Sequence, residues 1–279
     1  MHSTTCKLLF KLFLGTILLI SCEREHQGFS FISSRENDIA DAAFNHINAV
    51  VDTELEYLES QIESNKKNNF LSEEHDTFPN ISWSYSTDFS HIDSVWIDYG
   101  EQGGQWKDRT KTGQILITQN GKRNEVGTVT KVELINFKID DYFINGLERI
   151  ERIETQINSG IWIGTDHVKI ENAELIRVDG LNIFSWSSDR VRQANVIDGE
   201  LLVCIEGNMN GVNSYGSKYT ITTNSPLKFK LNCPRIVSGV LTLHDESYSN
   251  HQTIDYGEET CDVSADITID NEKYRITLW

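Results

Sequence analysis

The chain is short of proline, of positive charge and of long apolar runs. Three prolines in 279 residues leave extended segments unbroken, because each proline removes a ladder donor and fixes its own φ. Twenty-five Lys and Arg stand against 42 Asp and Glu, a formal charge of −17. A surface of that sign repels phosphate backbones and anionic headgroups, which excludes nucleic acid as a partner. The apolar run Leu12 to Ile20 falls short of the ~20 residues that a membrane-spanning helix needs. Chemical motifs are lacking too. The eight histidines are scattered and make neither H-E-x-x-H nor a Cys/His metal spacing. There is no phosphate-binding loop, dinucleotide fingerprint or G-x-S-x-G elbow. No catalytic, cofactor-binding or metal residue is assigned.

Three groups of residues come nearest to chemistry. His244-Asp245-Glu246-Ser247 holds the residue types of a hydrolytic triad. Neighbours on one strand or turn do not converge as a triad must, so the segment reads as a polar hairpin loop. Asp140-Asp141 and Glu258-Glu259 are adjacent acids, and adjacent strand residues point to opposite faces. Among six tryptophans, Trp106 and Trp186 have polar neighbours and are the candidates for exposed sugar-stacking rings, while Trp96 and Trp162 read as core. Packing roles for all six remain the favoured expectation.

The N-terminus carries an address. Lys7 and Lys11 precede the short apolar run, and no acid appears before Glu23. This is the layout of a secretory signal. Its end, Leu19-Ile20-Ser21-Cys22, resembles the lipobox of bacterial lipoproteins. That resemblance implies cleavage after Ser21, diacylglycerol on the Cys22 sulfur and a further acyl chain on the new amino end. Two or more acyl chains anchor stably where one is marginal. Glu23 and Glu25 resemble the acidic surface-export signal of Bacteroidetes lipoproteins, interrupted by Arg24. Removing residues 1–21 takes away two lysines, so −17 becomes −19.

Residues 22–35 are polar and patternless, and are expected to be a tether. Over 36–67 the pattern changes. Ile39, Ala43, Ile47, Val50, Val51, Leu55, Leu58 and Ile62 recur at spacings of three and four, one apolar stripe on an amphipathic helix. Ser33 and Glu36 have capping-box spacing, and Lys66-Lys67 suit a helix C-terminus. The stripe must dock, most simply on a sheet of the same chain. From 81 to 279, β-branched and aromatic residues alternate with Gly and Asn turns. Gln114 to Thr118 leads into Asn120-Gly121, a hairpin signal. Leu147, Ile150, Ile153 and Ile157 have helical spacing, yet their strand-rich setting favours β. The fold class is therefore mainly β, a large antiparallel meander or sandwich with one N-terminal helix.

A short repeat suggests two related halves. Ile97-Asp98-Tyr99-Gly100-Glu101 recurs as Ile254-Asp255-Tyr256-Gly257-Glu258, each followed by an alternating apolar strand. Asp98 and Asp255 suit Asx-type caps of Gly turns, a better fit than a calcium loop, which needs closely spaced oxygen ligands. Three cysteines remain in the mature chain besides Cys22. Cys204, within LLVCI, reads as a small buried hydrophobe. In an oxidising compartment Cys233 and Cys261, both beside turn residues, are the pair expected to join; the alternative is three buried thiols.

The stretch from Cys233-Pro234 through Ile254-Asp255-Tyr256-Gly257 to Cys261-Asp262 and Ala265-Asp266-Ile267 resembles an uncharacterised group of Bacteroidetes lipoproteins with an ending of the form DYGxGxCDxxAxVxxxG. Tyr219 to Leu227 is similar to the upstream YTxTITxPL element of that group. Residues 200–279 carry most of the resemblance. Glu259 replaces the second glycine, and Asn271-Glu272 replaces an Asn-Gly or Asp-Gly turn. The resemblance implies an envelope address, a β architecture and a Cys233–Cys261 bridge. It supplies no catalytic residue. The sequence thus points to an outer-membrane, lipid-anchored protein of structural, adhesive or glycan- or protein-binding role. The rival is a polysaccharide hydrolase with paired carboxylates.

Overall fold

The computed structural model describes residues 31–65, 78–106, 109–158, 161–197, 200–230, 233–248 and 251–279. The signal segment 1–21, Cys22 and the tether up to residue 30 lie outside the described residues, as do Lys66 and Lys67. The described chain is one helix, α1 (Ile32–Asn65), followed by strands. These are β1 (Asn80–Tyr85), β2 (Ile92–Asp98), β3 (Gly104–Trp106), β4 (Arg109–Gln119), β5 (Val129–Ile139), β6 (Tyr142–Asn158) and β7 (Ile161–Arg177). There follow β8 (Ile183–Ile197), β9 (Glu200–Val212), β10 (Lys218–Lys230), β11 (Cys233–Asp245), β12 (Gln252–Glu258), β13 (Ser264–Ile269) and β14 (Glu272–Thr277).

All fourteen strands form one antiparallel meander in sequence order, with β3 set off as a short partner of β4. A twisted sheet of more than ~10 strands tends to curl, and this one curls around α1. The chain end beyond β14 returns to strands of the other half of the sheet: the Arg109 guanidinium of β4 lies 3.8 Å over the Trp279 ring, and Tyr142 at the start of β6 packs edge-on to it at 6.1 Å. The helix fills the resulting trough. Its apolar stripe from Ile39 to Leu58 is buried with Ala40 and Phe44 against inward residues of nearly every strand. Burial stabilises each large apolar side chain by roughly 1.5–3 kcal/mol. No helix among the described residues is long and apolar enough to cross a membrane.

Several expectations need correction. The helix begins at Ile32, so residues 32–35 belong to it and not to the tether. No capping box forms: the Ser33 hydroxyl donates to Asp245, and Glu36 accepts from the Ser214 amide. Sheet partners outcompete the helix's own terminus because both residues face inward. Asn120-Gly121 does open a hairpin, from β4 to β5. Its loop is a long one, which Asn120 closes by accepting from the Val129 amide at 2.7 Å, and that loop carries Arg123 to Asp52 of the helix.

Residues 147–157 are strand, within β6. Their helical spacing arises because apolar residues sit on both faces, Ile150 buried and Leu147 and Ile153 exposed. Register shifts at Asn145/Leu147 and Arg152/Glu154 break the simple alternation.

The repeat has a structural basis. Asp98 accepts from the Gly100 amide at 2.7 Å and Asp255 from the Gly257 amide at 2.9 Å. Both glycines have positive φ, 66° and 85°. Each motif ends a strand and buries its tyrosine, Tyr99 or Tyr256. The sheet runs continuously between the two copies.

Candidate functional site

Along the trough, the polar face of α1 is matched group by group to polar residues of the sheet. Strand β8 points Phe184, Trp186, Ser188 and Arg190 inward. The Trp186 indole donates to Asn37 at 2.9 Å and stacks on Phe44. Arg190 pairs with Asp41, both side chains nearly inaccessible. The Asn48 amide donates to Glu148 of β6 at 2.9 Å. Ser34 donates to Gln252 at 2.6 Å, and Asp245 accepts from Ser33, Ser217 and the Ser247 amide. Nearer the helix C-terminus, Arg192 joins Asp52 at 3.0 Å and Asp166 at 2.9 Å. Arg152 approaches Asp166 at 2.7 Å. Space there is about 10 Å³, room for no more than a water.

Burial tunes these groups. It pushes the Glu148 carboxyl up to about 7 against the opposing Asn48 hydrogen bond and the Arg192 and Arg190 charges. It pushes Asp38 to about 7 against the Trp279 amide, which donates at 2.8 Å. At Asp52 burial raises the pKa, but the Arg123 and Arg192 guanidiniums prevail and hold it below the usual carboxylate range. At Asp245 burial again raises, and the Ser217 and Ser33 hydroxyls reverse it.

A cleft of about 80 Å³ opens at the seam, where Arg235, Ile236 and Phe229 face Arg109 across Trp279, with Asp38 and His46 of the helix at its floor. Arg109 already holds Asp140 at 2.7 Å, and Arg235 donates to the Trp279 carbonyl at 3.0 Å. One carboxylate, Asp38, stands in this lining, which does not provide the paired carboxylates of a glycosidase across that cleft.

The outer face of β1, β2 and β4 offers a different surface. Trp96 stands there 40% exposed, between Ser82 on β1 and Leu116 on β4. Beside it Ser84 and Ser94 share a hydrogen bond of 2.8 Å, and Gln114 donates to Asp98 at 2.9 Å. A part-exposed indole thus stands beside hydroxyl and amide groups. This reverses the sequence expectation for one tryptophan. Trp186, a candidate for an exposed sugar-stacking ring, is fully buried, in keeping with the favoured packing role, because the helix supplies polar partners to its polar neighbours. Trp96, expected in the core, points outward by strict alternation between buried Val95 and Ile97. The side chains of Trp106 and Trp162 lie outside the described residues.

Other candidates resolve simply. Cys233 and Cys261 are joined in a disulfide with Cα atoms 5.8 Å apart. Cys204 is a free thiol, half-buried and not fully so, with its pKa raised by burial. His244 packs on His251 at 4.9 Å, while Asp245 serves the serines, so no triad geometry arises. Asp140-Asp141 is the two-residue turn between β5 and β6, and Glu258-Glu259 ends β12, where Lys228 holds Glu259 at 2.6 Å. Glu259 takes φ 60°, a conformation natural to the glycine it replaces. The last hairpin turns at Asp270-Asn271, one residue before the expected pair, with both residues at positive φ. Among the described residues no cluster of three or more His, Cys, Asp or Glu is placed to hold a metal.

The polar trough and the Asp245 hub were missed in the sequence because their helix members read as solvent-facing. No protein-family model, curated protein or solved structure matches this chain.

Proposed function

We propose that this chain is a lipid-anchored cell-envelope protein, fixed to the outer membrane through Cys22, whose β body binds a glycan. The anchor rests on the Lys7/Lys11 start, the short apolar run and the Leu19-Ile20-Ser21-Cys22 ending. The observation that carries the binding role is Trp96. An exposed indole on a strand face leaves apolar ring surface uncovered, which suits a ligand with a flat apolar face. A pyranose ring has such a face, and its hydroxyls meet Ser82, Ser94 and Gln114 around it. The backbone beneath is rigid, because β2 is paired on both sides, so little ordering entropy opposes binding.

The test is a glycan array probed with the mature chain and with Trp96→Ala. Wild-type binding to one glycan class, weakened on the order of tenfold in the variant, supports the reading. Wild-type binding that Trp96→Ala leaves intact refutes the platform, and turnover of the bound polysaccharide to shorter products would place the chain with hydrolases instead. Mass spectrometry of the cell-extracted protein tests the anchor: an unacylated Cys22 refutes it.

A further inference from the structure

Two hairpin tips on one rim of the curled sheet carry exposed apolar side chains, beside polar and acidic turn residues such as Asp140, Asp141, Asp179 and Glu246. The β5–β6, β7–β8, β9–β10 and β11–β12 turns all lie at the end where α1 begins. Ser33 and Glu36 of the first helical turns bond Asp245 and Ser214 there. The Val178 amide donates to the Asp141 carbonyl at 2.8 Å, joining two of these turns. Leu181 is 79% exposed at the tip of the β7–β8 turn and Tyr215 65% exposed at the tip of the β9–β10 turn. Val178 is exposed beside Leu181. Just below, Phe143, Ile176 and Ile183 form one row across β6, β7 and β8 on the outer face. Adjacent strands lie about 4.8 Å apart, so the two hairpin tips stand within roughly 10 Å of each other.

The chain enters the body at this same rim. Nine peptide steps separate Cys22 from Phe31. Fully extended they span at most about 32 Å. The 34 residues of α1 run about 50 Å from this rim to the other. An anchored molecule therefore cannot stand on its far rim, whereas the near rim lies within reach of the bilayer.

We propose that this rim, with Leu181 and Tyr215 at its tips and Val178, Phe143 and Ile183 behind them, rests in the interface of a lipid bilayer beside the anchor. The proposal builds on the reading that Cys22 is the anchoring residue. Its lipid is electrically neutral in character, because a mature chain of charge −19, with Asp141, Asp179 and Glu246 on this same rim, is repelled by anionic headgroups. Inserted apolar side chains at turn tips fix the tilt of the body and hold the outer face of β2, with Trp96, turned along the membrane surface.

Hydrogen exchange tests the contact without relying on cellular acylation. The mature chain, in a Cys204→Ser background, is coupled through its Cys22 thiol to phosphatidylcholine vesicles bearing maleimide headgroups. Amides of 178–182 and 213–217 are expected to exchange roughly tenfold more slowly than in the uncoupled chain. Those of the opposite-rim loop 122–127 are expected to stay unchanged. The double variant Leu181→Ser, Tyr215→Ser alters only exposed tips and is expected to lose the protection while keeping the fold. Unchanged exchange at both tips, or equal slowing at 122–127, overturns the rim contact. An unacylated Cys22 in cell-extracted protein overturns the anchor instead, so the two failures are separable.

Discussion

Glu148 and Asn48 each keep one unsatisfied atom. Asn48 donates to one Glu148 oxygen at 2.9 Å, while the Asn48 carbonyl oxygen and the second Glu148 oxygen have no other partner. A proton on that second oxygen would turn an unpaired acceptor into a donor, and the unpaired Asn48 carbonyl is an acceptor on the same partner side chain. The pKa raised to about 7 agrees with a carboxyl held neutral in the interior. Asp38, also near 7, behaves alike. Unfolded carboxyls titrate near 4, so between roughly pH 4 and 7 the folded state binds protons that the unfolded state has released. A raised pKa contributes stability that is complete below the unfolded value and lost as pH rises through the folded one. The lowered groups, Asp52 and Asp245, have the opposite sign, but theirs is lost only below about pH 4. The expected outcome is a midpoint of denaturation that falls from pH 5 to pH 8. Glu148→Gln, which keeps the shape and a permanent donor, is expected to flatten that dependence and to stabilise the protein at pH 8 by about 1–3 kcal/mol. Urea titrations at pH 5 and 8 check it, and a variant with the wild-type pH slope would place the proton elsewhere.

The helix was legible in sequence on one side only. Ile39, Ala43, Ile47, Val50, Val51, Leu55 and Leu58 announced themselves by spacing, and all are buried. Asn37, Asp41 and Asn48 are buried as well, but they looked like a solvated face. Their partners, Trp186, Arg190 and Glu148, lie 100 to 149 residues away, beyond the reach of any local pattern. The same blindness made a surface candidate of Trp186, whose polar neighbours are inward residues with helix partners. Trp96 was misread because its apolar neighbours line the opposite face. The Asx caps at Asp98 and Asp255 were legible, since a short side chain bonding two residues ahead is local chemistry.

The Asp41–Arg190 pair turns this into a measurement of how α1 is held. Removing one partner leaves the other charged and buried, which costs about 3–5 kcal/mol. Asp41→Ala is therefore expected to destabilise by that amount. Asp41→Leu with Arg190→Met, which removes both charges at similar volume, is expected to recover most of it. A double-mutant cycle by chemical denaturation decides. Equal losses in the single and double variants would mean that packing, not charge pairing, seats the helix.

For the molecule as a whole, the trough leaves no subset of strands with a core of its own. Apart from the short β3, each strand pairs with its sequence neighbour, and a ladder of that kind can fray from either end as repeat arrays do. What opposes fraying is α1, whose buried stripe shares one core with inward residues from β1 to β13, and the seam that Trp279 closes with Arg109, Tyr142 and Asp38. A single helix serving every strand couples them all, so loss of any part exposes the rest. Unfolding is expected to be one transition, with helical circular dichroism and tryptophan fluorescence changing together and calorimetric and van't Hoff enthalpies agreeing. A chain lacking 36–65 is expected to show no cooperative transition at all, because the inward Arg190, Glu148 and Trp186 would then face a void without partners. Fluorescence that outlasts the helix signal on heating, or a helix-less chain that still melts sharply, would mean that the sheet carries a core independent of the helix.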